Sequence, residues 1–173
     1  MRSLTFSPGI PLTPGRYRRG GFEPSLSFEV PAGWLAVQDV PGFFDVELGT
    51  DALDVIAVQF ARSAVDGTAR AAAVELRRRR DLVVTALDRA TIGGTPGHRV
   101  TVDTTNPDIE ARAFVEVLRV DAGPISIASG RALQATFVDT ASGLLAILVG
   151  GSVRTWDRTL AAAAPIMASV RFG

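Results

Sequence analysis

From Leu26 onward, apolar and polar residues alternate with a period of two, and Pro and Gly interrupt the alternation at short intervals. Leu26, Phe28 and Val30 point one way while Ser27 and Glu29 point the other, as in a half-buried strand. Pro31, Ala32 and Gly33 turn the chain into a second strand, Trp34 to Val40. Pro41 and Gly42 turn it again, and Phe44, Val46 and Leu48 then alternate with Asp45 and Glu47. A further turn around Gly49, Thr50 and Asp51 leads to Ile56, Val58 and Phe60 alternating with Ala57 and Gln59. Four strands with short connections predict an antiparallel meander.

The period then changes. Asp66, Gly67 and Thr68 offer a helix start, and Ala69, Ala72, Ala73 and Leu76 form one apolar helical stripe that runs into Arg77, Arg78, Arg79 and Arg80. Cations in a last helical turn complement the macrodipole, and Glu75 is spaced to pair with Arg79. A short strand from Leu82 to Leu87 follows. The run from Gly93 to Gly97 then reads as a tight reversal before a strand from His98 to Val102.

Beyond a turn at Asn106, Pro107 and Asp108, apolar residues on both faces of Ala111 to Val120 predict an interior strand, broken at Gly123 and Pro124. Leu133, Ala135 and Phe137 alternate with Gln134, Thr136 and Val138, and the continuous apolar run Leu144 to Val149 is expected at the sheet centre, ended by Gly150 and Gly151. Thr155 is placed to cap a second helix whose stripe is Trp156, Leu160, Ala163, Ala164 and Met167. Pro165 is expected to kink or divide that helix, and Val170 to Phe172 to end the chain as a strand or anchored tail. Residues 1–25 hold eight Pro and Gly breakers and read as an irregular arm pinned by Tyr17 and Phe22, with 26–173 as one domain. The sum is an α+β fold: a mostly antiparallel sheet of about seven to nine strands with two main helices packed on it.

At 173 residues the chain is long enough to bury a core without staples. It has no Cys, which removes thiol catalysis, disulfides and Cys-ligated metals. All 18 basic residues are Arg, which excludes a Schiff-base or phosphate-loop lysine, and 18 acids balance them to zero net charge. That balance argues against a general nucleic-acid binder, and no apolar run is long enough to span a membrane as a helix. The N-terminal stretch carries no leader as written, so the sequence is compatible with a cytoplasmic protein or with an exported one whose leader was removed.

Candidate chemistry is sparse. His98 is the only histidine, so any His-based catalysis passes through it, and Ser152, between a buried strand and a helix, is the hydroxyl in a suitable context. Gly150, Gly151 and Ser152 lack the Lys of a phosphate loop and the closing Gly of a nucleophile elbow. Asp103, Asp108 and Glu110 offer oxygen ligands without the spacing of a calcium loop, so no metal or cofactor is expected. Arg77 to Arg80 form a candidate patch for an anion or an acidic partner.

The order of several segments carries a resemblance: Leu12 to Tyr17 (LTPGRY), Leu26 to Trp34 (LSFEVPAGW), the Ala-rich helix running into Arg80 to Leu82, Thr91 to Gly97 (TIGGTPG), and Trp156 to Phe172. Together they resemble the PsbP-like α/β/α sandwich domains of bacterial lipoproteins and envelope proteins. The resemblance implies an antiparallel sheet with helices on its faces and a non-catalytic binding or assembly role, often outside the cytoplasm, with a protein or small ligand as partner. A small hydrolase using His98 with Ser152 or another hydroxyl, and an anion-binding or acidic-partner module using Arg77 to Arg80, are the alternatives.

Overall fold

The structure, a computed structural model, describes residues 2–3, 9–19, 22–49, 54–64, 66–103 and 114–173. The expected turns at Thr50–Asp51 and Asn106–Asp108, the start of the strand expected from Ala111, and the carboxylates of Asp108 and Glu110 lie outside them.

Fourteen strands and two α-helices are formed among the described residues. The short strands β1 (Arg2–Ser3) and β2 (Ile10–Pro11) precede β3 (Gly15–Arg19) and β4 (Leu26–Val30). Next come β5 (Trp34–Val40), β6 (Phe43–Leu48) and β7 (Ile56–Arg62), then helix α1 (Ala69–Arg78). The remainder is β8 (Val83–Ile92), β9 (Thr95–Asp103), β10 (Phe114–Val120), β11 (Gly123–Ala128), β12 (Arg131–Thr140), β13 (Gly143–Ser152), helix α2 (Trp156–Ser169) and β14 (Arg171–Phe172).

Eight strands build one antiparallel sheet in the order β2-β5-β6-β7-β13-β12-β9-β8. The apolar run Leu144 to Val149 does lie at its centre, between β7 and β12. Both faces of that strand are covered, which is why it shows no alternation. Leu145, Ile147 and Val149 join a core with Phe28, Phe44, Phe60 and Ile166, under β4 and α2. Leu144, Ala146 and Leu148 join a second core on the opposite face with Ala73, Leu76, Val115 and Ile127, under α1 and the β10–β11 hairpin.

Several expectations are corrected. The strand from Leu26 to Val30 does not continue the meander; it pairs with β3 and β14 in a separate small sheet ordered β1-β3-β4-β14. Only β5, β6 and β7 form consecutive hairpins, because the pleat fixes which face is apolar but not which neighbour supplies the backbone bonds. The segment ending at Val120 is not interior to the main sheet: β10 pairs with β11, a strand beginning at the Gly123–Pro124 expected to be a break, and Phe114 is 68% exposed. The reversal after β8 is tighter than its five Gly- and Pro-rich residues suggest, with Ile92 paired to Thr95. Gly93 and Gly94 alone turn the chain, at φ of 59° and 84°, the positive values a two-residue hairpin turn needs.

Helix α1 starts as expected: Thr68 accepts a bond from the Ala71 N–H at 3.2 Å, and Asp139 at the end of β12 accepts one from the Ala69 N–H at 2.7 Å. It ends at Arg78, with Arg79 extended. Arg79 bonds other groups than Glu75; its Nε and Nη2 grip Asp81 at 2.9 and 2.5 Å, and Nη1 donates to the Val117 carbonyl at 3.3 Å, tying the helix end to β10.

Helix α2 runs undivided across the exposed Pro165. Its buried positions are Thr159, Ala163, Ile166 and Ser169, while Ala164 is exposed, so the packed stripe is rotated from the expected one. The cause is Gly151, which is within β13 rather than after it. With no side chain it admits Thr159, and a methyl there would sit 2.9 Å from Thr159 Cβ and nearer still to its Oγ1 and Cγ2. Thr155 makes no side-chain cap to α2; its hydroxyl bonds Asp54 at 3.3 Å, and Ser152 caps the short 3-10 turn that precedes the helix. The C-terminal segment is a strand, with Arg171 paired to Ser27.

Candidate ligand-binding site

On the face covered by the hairpin, strands β5, β6 and β7 present polar residues where the rest of that face is apolar. Gln38, Asp45 and Gln59 are aligned across the three strands. Two residues further along β6, Glu47 faces Ala57, which is followed in the register by Gly150 and then Leu133. Ala57 and Gly150 have no bulk to fill the floor between Glu47 and Arg131, the first residue of β12. The result is a cleft of about 590 Å³ between sheet and hairpin, floored by Gln38, Glu47, Gln59 and Arg131 and walled by Phe43, Phe114 and Ile125 among others.

The electrostatics of this floor are set by burial. Asp45, only 4% exposed, lies between the glutamines; its Oδ1 accepts the Gln38 backbone N–H at 2.7 Å and its carboxylate also bonds the Gln59 side chain. Desolvation, reinforced by the nearby Glu47 charge, outweighs those bonds and pushes its pKa up to about 6. Glu47 is raised by burial, with Arg131 opposing the shift. Arg131 is lowered by burial, against the attraction of Glu47 and Asp54, and its Nη2 donates to the Val55 carbonyl at 2.9 Å.

This arrangement has a consequence for stability. Between about pH 3.8 and 6 the folded protein keeps a proton on Asp45 that the unfolded chain has released. Stability therefore falls as pH rises through that window and levels off above it, by up to about 3 kcal/mol. Asp45→Asn is expected to leave the urea midpoint unchanged at pH 4 and to raise it at pH 8. A difference between the two proteins that does not vary with pH would mean that the carboxyl ionises as freely as in the unfolded chain.

The residues singled out from sequence are dispersed. His98 is half-buried on β9 opposite Phe137, whereas Ser152 ends β13 opposite Arg131. Those partners are six positions apart on β12, about 20 Å along the strand, so the fold does not bring His98 and Ser152 together. Ser152 Oγ instead accepts the Arg154 N–H at 3.3 Å. Arg77, Arg78 and Arg80 are exposed at the end of α1, apart from Arg79 with its Asp81 bond. Asp103 ends β9, and among the described residues no group of three acids or histidines is placed to hold a metal.

The cleft residues Gln38, Asp45, Glu47, Gln59 and Arg131 went unread in the sequence because each occupies a polar slot of an alternating strand, ordinarily the solvent side. The available signal is their coincidence on three successive strands, which needs the register to be seen.

No protein-family model matches the chain, and no curated protein matches it. Solved structures do. One is LpqN of Mycobacterium tuberculosis, described as involved in cell envelope biogenesis, at 11% identity with a TM-score of 0.51 over 91% of this chain and 90% of that one. Another is the cyanobacterial PsbP protein, CyanoP, from Synechocystis sp. PCC 6803, at 14% identity with a TM-score of 0.50 over 98% and 99%. The fold is PsbP-like, an antiparallel sheet with helices on its faces.

Proposed function

We propose that this PsbP-like domain is a non-catalytic binding module whose ligand seat is the cleft between the main sheet and the β10–β11 hairpin. The observation that carries the reading is the floor of that cleft, where Glu47 and Arg131 face each other across Ala57 and Gly150, beside the amides of Gln38 and Gln59. A cleft of about 590 Å³ is in the size range of small-molecule sites, and its few convergent polar groups suit a small polar ligand with both donor and acceptor groups. The distance between His98 and Ser152 weighs against the hydrolase alternative. An envelope setting, as stated of LpqN, is part of this proposal.

A screen of small polar compounds by ligand-observed NMR tests it. Hits are expected to lose binding in Glu47→Gln and Arg131→Gln and to keep it in His98→Ala. Hits that survive both cleft substitutions, or ester hydrolysis that vanishes in a folded His98→Ala, would overturn it.

A second reading rests on the exposed guanidinium groups of Arg77, Arg78 and Arg80, which make no ion pair among the described residues and suit an acidic partner protein. Binding to acidic peptides that persists when all three are neutralised, or that is insensitive to salt, would exclude it.

A further inference from the structure

A second hollow, of about 330 Å³, lies on the opposite face of the main sheet, between α2 and the strands near the β8 edge. Its walls are apolar or small, with Leu160, Ala163, Ala164 and Met167 from α2, and its polar members include Gln134 and Arg99. Among the described residues, Arg99 is the only charged one lining it. Helix α2 alone would close down on a flat apolar sheet; here a guanidinium interrupts that face.

Arg99 is half-buried, and among the described residues it has neither a hydrogen bond nor an ion pair. Its Nε is shut away from solvent without an acceptor. Asp88, its cross-strand neighbour on β8, is exposed and forms no ion pair with it. Directly across β12 from Arg99 is Thr136, fully buried, whose Oγ1 also has no partner. These two buried polar atoms make the region beside the hollow polar, and the Arg99 Nη groups at its wall have no acceptor among the described residues, a costly arrangement unless something accepts from them.

We propose that this hollow is a binding site for a monocarboxylate with an apolar body. A carboxylate presents two coplanar oxygens that match the fork of the two Nη groups, the accessible end of the Arg99 guanidinium, a pairing stronger and more directional than a neutral one. One cation and no acid among the described lining residues favour a single negative charge over a dianion. The apolar body lies along α2, where Ala163 and Ala164 leave room and Met167 adapts to the shape of what it covers.

Calorimetric titration of the full chain with octanoate and benzoate tests this, with octanol as the uncharged control and inorganic phosphate as the apolar-free anion. Saturable carboxylate binding is expected, with octanol and phosphate each weaker by about tenfold or more, as for loss of a charge-assisted hydrogen bond or of the apolar contact. Arg99→Gln should weaken octanoate by a similar factor. Ala164→Leu, at an exposed position of α2, narrows the hollow without touching the charge and should also weaken it, which keeps the test decisive if Arg99→Gln fails to fold. Glu47→Gln and Arg131→Gln should leave octanoate binding unchanged, which separates this site from the hairpin cleft. Absence of saturable binding by either carboxylate, octanol binding as tightly as octanoate, or a folded Arg99→Gln of unchanged affinity would each overturn the proposal.

Discussion

Replacing Phe44 by alanine is expected to cost about 4 kcal/mol, a large part of the stability of a domain this size. Phe44 is completely buried where β6 faces the small sheet. Its ring stacks on Phe60 at 4.6 Å and on Phe28 at 5.8 Å, and Phe22 meets it edge-on at 5.0 Å. Phe28 and Phe60 also stack on each other at 5.1 Å, so removing Phe44 opens a cavity among three large rings that cannot all move inward. Phe44→Leu keeps most of the volume and should cost less than half as much. Urea denaturation of the three proteins measures both losses. A Phe44→Ala protein within 1 kcal/mol of the parent would mean that the two layers do not meet through this ring.

The second large effect is expected at Gly151. Gly151→Ala drives a methyl into Thr159, the fully buried residue by which α2 touches β13, at a cost of about 3 kcal/mol. The neighbouring groups have little freedom to yield, since the Thr159 hydroxyl is held by the Thr155 carbonyl at 3.2 Å. Thr159→Ala alone should cost about 1 kcal/mol for the lost methyl and hydrogen bond. Combined with Gly151→Ala it removes the two nearest colliding atoms, Oγ1 and Cγ2, and leaves only Cβ at 2.9 Å, so the double variant should be more stable than Gly151→Ala by itself. A double-mutant cycle with a coupling of about 1–2 kcal/mol is the expected readout, and simple additivity would show that α2 does not seat on Gly151.

The architecture was legible wherever one residue's environment follows from its immediate neighbours. Alternation located β4, β5, β6, β7 and β12, the continuous run Leu144 to Val149 marked the strand covered on both faces, and Thr68 marked the start of α1. What depends on partners far along the chain was not. The pattern of Leu26 to Val30 is the same whether β4 pairs with β5 or with β3 and β14, and only the tertiary pairing decides. The stripe of α2 was read one position off because periodicity weighs apolar side chains, whereas the close approach is set by a glycine on another strand admitting a threonine.

The candidate sites were less legible still, for a related reason. Asp45 and Glu47 look like solvent-facing positions of a half-buried strand, and Arg131 like the polar start of another. Their shared face, and the hairpin that encloses it, exist only once β6, β7, β13 and β12 are side by side. Arg99 beside Thr136 is equally a product of register. The visible cluster is divided by the fold: of four adjacent arginines, Arg79 is committed to fastening α1 to β10.

The small sheet has a bearing on how the protein comes into being. Ser169, at the end of α2, accepts the backbone N–H of Glu29 at 2.7 Å from 140 residues further along the chain, and β14 pairs with β4 beside it. β4 therefore keeps one edge open, and Phe28 lacks part of its cover, until α2 and β14 are in place. Completion of that layer is slow in the manner of contacts that close a long loop. Until then the open edge of β4 can pair with another molecule, a hazard that the finished fold conceals.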